Sequence, residues 1–341
     1  MQSRDSEVLP ALWPYALWPH ATPTGEAQAA PVLGEAATQA LQQARIEPLI
    51  VHDHPTRPRP DMPHEALCAR ALGWPEGPGY WPWAALAAVE AGLAQWGDGS
   101  AWAWVTLCHW QVVQGEAQIL DPSWLGVDAA TDARLRADMQ GYFLEDGIQL
   151  FAWRPGVWLA QSPAWAEVST ASLDRVLGET VRVWQPGGDH PEGAARLWRR
   201  LQNEMQMLLY THPVNAQRQW SLNSLCLHGA GAMPNHPPAA DGLALWRRLE
   251  AQAQEAHWQQ LAQAWRRGDH AAWQQAWAVC WQAEAPQWPQ ARPETPWRLT
   301  LAGAHHARTC VWPHGQGWRR WWPGNRPDPR RVVWEAIPAC D

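Results

Sequence analysis

At 341 residues, 46% apolar and 17% charged, the chain is long enough for two packed globular regions, and no apolar run approaches the ~18 residues of a membrane span. A net charge of -7 argues against a nucleic-acid partner, and the 26 cations are all Arg, which excludes a Walker-type phosphate loop and a lysine Schiff base. The 29 Trp against 2 Phe and 4 Tyr point mainly to core packing, because an indole buries more area than any other side chain.

Met1–Pro10 has no apolar block of the kind a secretory signal needs, so a cytoplasmic address is expected. Residues 1–64 are rich in Pro and Ala, with one helix expected over "GEAATQALQQARI" and a short apolar "PLIV" after it. The prolines of "PTRPRPDMP" remove donors and predict irregular chain. Two helices follow, "HEALCARALG" and "WPWAALAAVEAGLAQW". After the Gly97-Asp98-Gly99 turn, "AWAWVTLCHWQVV" reads as one β segment, paired with "GEAQILD" in a hairpin across Gly115. A helix over "DAATDARLRADMQGYF" and strands over "GIQLFAW" and "GVWLAQ" complete a β-β-α-β-β unit with one helix covering a small mixed sheet.

The helix "EGAARLWRRLQNEMQMLLYTH" has an apolar stripe of Trp198, Leu201, Met205, Leu208 and Leu209, and it must end before Pro213. "WSLNSLCLHGAG" is a buried strand running into Gly229-Ala230-Gly231. "EAHWQQLAQAWRRG" and "DHAAWQQAWAVCW" predict a helical hairpin, with Gly268 ending the first helix and Asp269 capping the second. "WRLTLAG" and "ARTCVWP" predict a final strand pair. The tail interleaves Trp318, Trp321 and Trp322 with Arg319, Arg320, Arg326, Arg330 and Arg331. Such a mixture can stack on bases, but in an acidic chain docking against the fold is the expected role.

The class is therefore α+β, in three regions: 1–99 irregular and helical, 100–232 the α+β domain, and 233–341 a Trp-rich region with helical hairpin, strand pair and tail. Six cysteines are widely spread without a C-x-x-C pair and are expected to be reduced, mostly buried thiols. In "IVHDHP", His52, Asp53 and His54 are metal-capable, but adjacent residues of an extended chain face opposite ways, so at most His52 and His54 share a face, and no second cluster completes a set, so neither metal nor cofactor is expected.

"LQNEMQMLLYTHPVNAQRQWSLNSLCLHGAG" resembles the archaeal-type cofactor-independent phosphoglycerate mutases, in which a long helix ends in a His-Pro-Val-Asn-x-x-Arg turn before an Asn-containing strand and a Gly-x-Gly loop. It is similar, more closely, to the related bacterial RpfE-type regulatory proteins. His212, Pro213, Val214, Asn215, Arg218, Asn223, Gly229 and Gly231 carry the resemblance, while "QWSL" replaces the usual Gly-x-Pro-Pro and Cys226 or His228 stands where Trp or Arg is common. The resemblance implies the substrate domain of a mutase, inserted in an alkaline-phosphatase-like core. The Asp-Gly-x-Gly-Asp opening and the Asp and Gly-His-Asp runs of a two-metal phosphoryl-transfer cage are missing from the sequence. A non-catalytic regulatory or binding protein is expected, its partner a protein or a phosphorylated or otherwise anionic small molecule. An active mutase or other metal-dependent phosphotransferase is the alternative, and nucleic-acid binding through the tail is a second.

The candidate ligand site is His212, Asn215, Arg218, Asn223, His228, Gly229 and Gly231. Two readings stay open. A guanidinium, amides and a glycine loop could hold an anion. Alternatively, Asn215 closes the turn, Asn223 pairs with buried backbone and Arg218 clasps an acid such as Glu204.

Overall fold

The computed structural model describes residues 11–18, 31, 33–53, 58–187, 193–284, 297–312 and 333. These fall into two compact units, one built from Met1–Pro75 and Pro238–Asp341, the other from Glu76–Pro237. The sequence had suggested divisions at 99/100 and 232/233. The tail from 313, apart from Val333, lies outside the described residues, as do His54 and Cys340.

In chain order, the first unit opens with β1 (Ala11–Trp13), α1 (Glu35–Gln43), β2 (Arg45–Ile46), β3 (Ile50–Val51) and α2 (Pro63–Ala71). The second unit contributes α3 (Trp83–Glu90), β4 (Ala101–Cys108), β5 (Trp110–Val113), β6 (Glu116–Ile119), α4 (Ala129–Glu145), β7 (Gln149–Arg154) and β8 (Val157–Gln161). It continues with α5 (Leu173–Val176), α6 (Ala194–Thr211) and β9 (Ser224–Ala232). The chain then returns to the first unit as α7 (Ala240–Gln252), α8 (Ala256–Arg266), α9 (His270–Glu284), β10 (Trp297–Ala302) and β11 (His306–Trp312). The fold is α+β, and no helix among the described residues is long and apolar enough to cross a membrane.

The second unit is built on an antiparallel sheet ordered β7-β8-β4-β9. β4 is buried along its whole length because both faces are covered. Ala101, Ala103, Val105 and Leu107 share a core with Leu135, Met139 and Phe143 of α4 and with Trp198, Leu201, Met205 and Leu209 of α6. Two helices therefore cover this face, where the sequence suggested one, and α3 packs against β4 and β9. "AWAWVTLCHWQVV" breaks at His109, so that β4 and β5 belong to different sheets. The imidazole Nδ1 of His109 lies 2.7 Å from Ser221 O and takes the place of a strand partner. The β5–β6 hairpin turns on Gln114 (φ 52°) and Gly115 (φ 85°), the paired positive angles that a two-residue turn requires. Asp132 is buried in α4 and accepts from Gly156 N at 2.9 Å and Trp158 Nε1 at 2.7 Å, which pins the helix to the β7–β8 turn.

The first unit holds a sheet ordered β1-β10-β11-β2, with β3 also on β11. β1 runs parallel to β10, a pairing of three residues that no local signal announces. Beside the sheet, α8 and α9 form the helical hairpin expected at Gly268 (φ 67°) and Asp269, whose carboxylate accepts from Ala272 N at 3.0 Å. Trp13, Trp258, Trp265, Trp273, Trp277 and Trp281 lie in one core cluster.

Some of the buried indoles do what Phe could not, filling space and also donating a hydrogen bond. Trp265 donates to Leu17 O and Trp273 to Tyr15 O, each at 2.8 Å, holding a turn in which Tyr15 takes φ 59°. Trp312 donates to Ala40 O at 2.8 Å. Phe could fill the volume but not hold the backbone. Cys68, Cys108, Cys226, Cys280 and Cys310 are free and buried, and burial pushes the thiols of Cys226 and Cys310 up to about 12.

Candidate functional site

α6 ends because Pro213 offers no N–H and drives His212 out of the helical region, to φ -70° and ψ 132°. The His212 ring then does two jobs: its Nδ1 accepts from Val214 N at 3.2 Å, and its Nε2 lies 3.0 Å from Asp138 Oδ2 on α4. With Nδ1 accepting, Nε2 carries the proton that faces the carboxylate. The side-chain amide of Asn215 donates to Leu209 O and Leu222 O, both at 2.9 Å, and accepts from Leu222 N at 2.8 Å. It thereby ties the helix end to the start of β9.

Arg218 donates to Leu125 O rather than reaching Glu204. Its guanidinium also lies near Asp128, where backbone and side-chain hydrogen bonds from Thr131 are the larger causes holding that carboxyl below its ordinary value. Asn223 clips onto the backbone of Trp110, accepting from its N at 2.7 Å and donating to its O at 2.9 Å. A side chain thus replaces the ladder where β5 leaves the main sheet.

His228, Gly229 and Gly231 all lie within β9, so the glycines form part of a strand and not an open loop. The β4–β9 register shifts between Trp102 and Trp104, and Gly229 takes φ 61° at this bulge. A Cβ on Gly229 would meet the Trp104 ring at 2.9 Å, and one on Gly231 would meet Pro82 Cβ at 2.7 Å. Close packing therefore accounts for both glycines. The backbone N–H of Ala230, between them, donates to Thr170 Oγ1 at 3.1 Å.

His228 is buried against Trp104, with Nε2 at 2.8 Å from Thr106 Oγ1. Burial first, and then the Arg154 guanidinium, push its imidazole down to about 3, with Asp174 pulling weakly the other way. This lies below the ~6.5 of an unfolded histidine, so the unfolded chain binds the extra proton between those values. The associated stability is present above pH ~6.5 and lost as pH falls toward 3. At pH 5 the loss from this group is about 2 kcal/mol. His228→Gln is expected to flatten the fall in unfolding free energy, read by urea titration, between pH 7 and 5 by about that amount. An unaltered pH slope in the variant would contradict the assignment.

The first unit holds the other expected candidate. His52 Nε2 lies 3.1 Å from Asp61 O and 3.2 Å from Asp61 Oδ1, and Arg59 Nε donates to the same oxygen at 2.9 Å. Asp53 turns away from His52, toward Arg59 N and His305 Nδ1, each at 2.6 Å. The two carboxylates are almost wholly buried, and each is matched by an imidazole. His54, the residue paired with His52 in that reading, lies outside the described residues.

A cluster that sequence reading passed over is Glu255, His257 and Glu284. Glu-x-His is visible in the sequence, but its third member arrives only because α9 folds back along α8.

No family model matches the chain, and no curated protein matches it. Among solved structures it is similar to the cofactor-independent phosphoglycerate mutase from Thermoplasma acidophilum DSM 1728, at 13% identity and TM-score 0.33 over 90% of each chain. The likeness is distant. A second similar structure is the PH0037 protein from Pyrococcus horikoshii, at 12% identity and TM-score 0.45, covering 88% of this chain and 86% of that one. Neither bears on the resemblance to RpfE-type proteins.

Proposed function

We propose that the chain is a non-catalytic binding protein of regulatory type, a degenerate relative of the cofactor-independent phosphoglycerate mutases. The observation that carries this reading is the commitment of the motif's polar groups. Asn215 and Asn223 spend their amides on backbone, and His212 and Arg218 have the acids Asp138 and Asp128 beside them. Such a segment serves as a frame that holds a helix, a turn and a strand together. A phosphoryl-transfer centre instead needs metal ligands converging beside a nucleophilic hydroxyl. The chain order adds support: Glu76–Pro237 is inserted between the two halves of the other unit, as the sequence resemblance implies for a substrate domain.

The neighbouring acids favour a protein partner over an anionic metabolite. On α6, Met207 (73% exposed) and Tyr210 (84%) face solvent three residues apart, and side chains of these types are enriched where proteins meet. The test is interconversion of 2- and 3-phosphoglycerate by purified protein with added Mn2+. No turnover above buffer is expected. Turnover that follows protein concentration would refute the non-catalytic reading.

A further inference from the structure

We propose that Glu255, His257 and Glu284 bind one divalent transition cation of the zinc class, a site independent of the function argued above. Glu255 immediately precedes α8, His257 lies in its first turn, and Glu284 is the last residue of α9. His257 Nε2 is 3.3 Å from Glu255 Oε2 and 3.8 Å from Glu284 Oε1, and one ligand atom from each residue lies within 4.8 Å of the others.

The separations leave room for a metal between the imidazole and the two carboxylates. His257 Nε2 is inaccessible to solvent and has no hydrogen-bond partner, although two carboxylates flank it. An N–H bonded to either oxygen would close to about 2.7–3.2 Å. Ligand atoms bound at about 2.1 Å around a tetrahedral cation sit about 3.4 Å apart, and the two observed separations straddle that edge length.

The surroundings fit a cation as well. Glu255 makes no side-chain cap bond to α8, so its carboxylate is not spent on the helix. The carboxylate of Glu284 is buried at the C-terminal end of α9, where a helix dipole favours positive charge. Its Oε2 accepts from Arg248 at 3.0 Å and its Oε1 from Trp258 Nε1 at 3.3 Å, contacts that orient the carboxylate toward His257. Arg248 also offsets part of the negative charge, which tempers affinity. Glu255 is half exposed, leaving one side open to water as a fourth ligand. Cys280 spends its S–H on His257 O at 3.5 Å, so the donor set is nitrogen and oxygen. One imidazole and two carboxylates suit zinc or cobalt better than calcium or magnesium.

The experiment uses the full chain, stripped with chelator and equilibrated with Zn2+ near pH 7.5, beside Glu255→Gln and His257→Gln. Glu255→Gln alters a half-exposed side chain and should keep the fold, as circular dichroism will show. Loss of an outer-shell contact alone weakens metal binding by about 10–100-fold, so each variant is expected to lose at least tenfold in Zn2+ affinity. Zn2+ should raise the melting temperature of the parent protein more than that of either variant, and Co2+ should give the visible bands of a four-coordinate site only in the parent. Equal affinity and stoichiometry in all three proteins, or no Zn2+ uptake by the parent, would overturn the assignment. Neither outcome depends on the mutase assay.

Discussion

Trp13→Ala is expected to destabilise the first unit by about 4 kcal/mol, the range seen when a fully buried Trp or Phe is truncated. Trp13 has no exposed surface, and its ring meets Trp258, Trp277 and Trp281 edge-on at centroid separations of 5.3, 5.5 and 5.9 Å. Truncation removes the transfer energy of an indole and three aromatic contacts of about 0.5–1.5 kcal/mol each, which overlap with that energy. β1 pairs with β10 over only three residues, and Trp13 is its largest side chain in the shared core. The loss should therefore appear as faster hydrogen exchange in α8 and α9 as well as a lower urea midpoint. Trp13→Phe should cost less, because it keeps a ring in the site. A cost below about 1 kcal/mol for the alanine variant would mean that the three indoles close over the cavity.

Gly242→Ala is expected to cost about 3 kcal/mol, although alanine is the better helix former by about 1 kcal/mol. A Cβ at this position of α7 would lie 2.3 Å from Ala71 C, Ala71 O and Leu72 N. These are backbone atoms at the end of α2, bonded in turn to the start of α7 through Ala239 N and Leu72 O at 3.1 Å, so they cannot swing aside as a flexible side chain would. At 2–4 °C per kcal/mol for a unit of this size, melting should fall by roughly 6–12 °C. Gly141→Ala in α4 is the control, because nothing lies within 4 Å of its Cβ position and the same substitution should stabilise by about 0.5–1 kcal/mol. If both variants shifted in the same direction, steric approach at Gly242 would not be the cause.

These two sites also mark where reading the chain stops being sufficient. Nothing around Gly242 or Trp13 in the sequence says which backbone or which indoles will approach, because the neighbours come from Ala71 and from Trp258 to Trp281. The Asn side chains of the motif were legible as polar residues near a turn. Pairing with turn and backbone was one of two readings open there, but the partner was not legible, since Asn223 serves Trp110, 113 positions away. Gly229 and Gly231 announced a special backbone, but whether that meant an open loop or a crowded bulge depended on Trp104 and Pro82.

By itself, the sequence determined α6 and its end at His212-Pro213, the α8–α9 hairpin at Gly268-Asp269, the β5–β6 turn at Gly115 and the α+β class. Each of those rests on dihedral limits, caps and apolar spacing that act within a few residues. Tertiary structure alone decided that β1 would lie parallel to β10, that β4 and β5 would part at His109, and that Glu284 would meet His257. Contacts of that kind join positions tens to hundreds of residues apart, and their partners are chosen by which buried surfaces and polar groups fit together once the local elements exist.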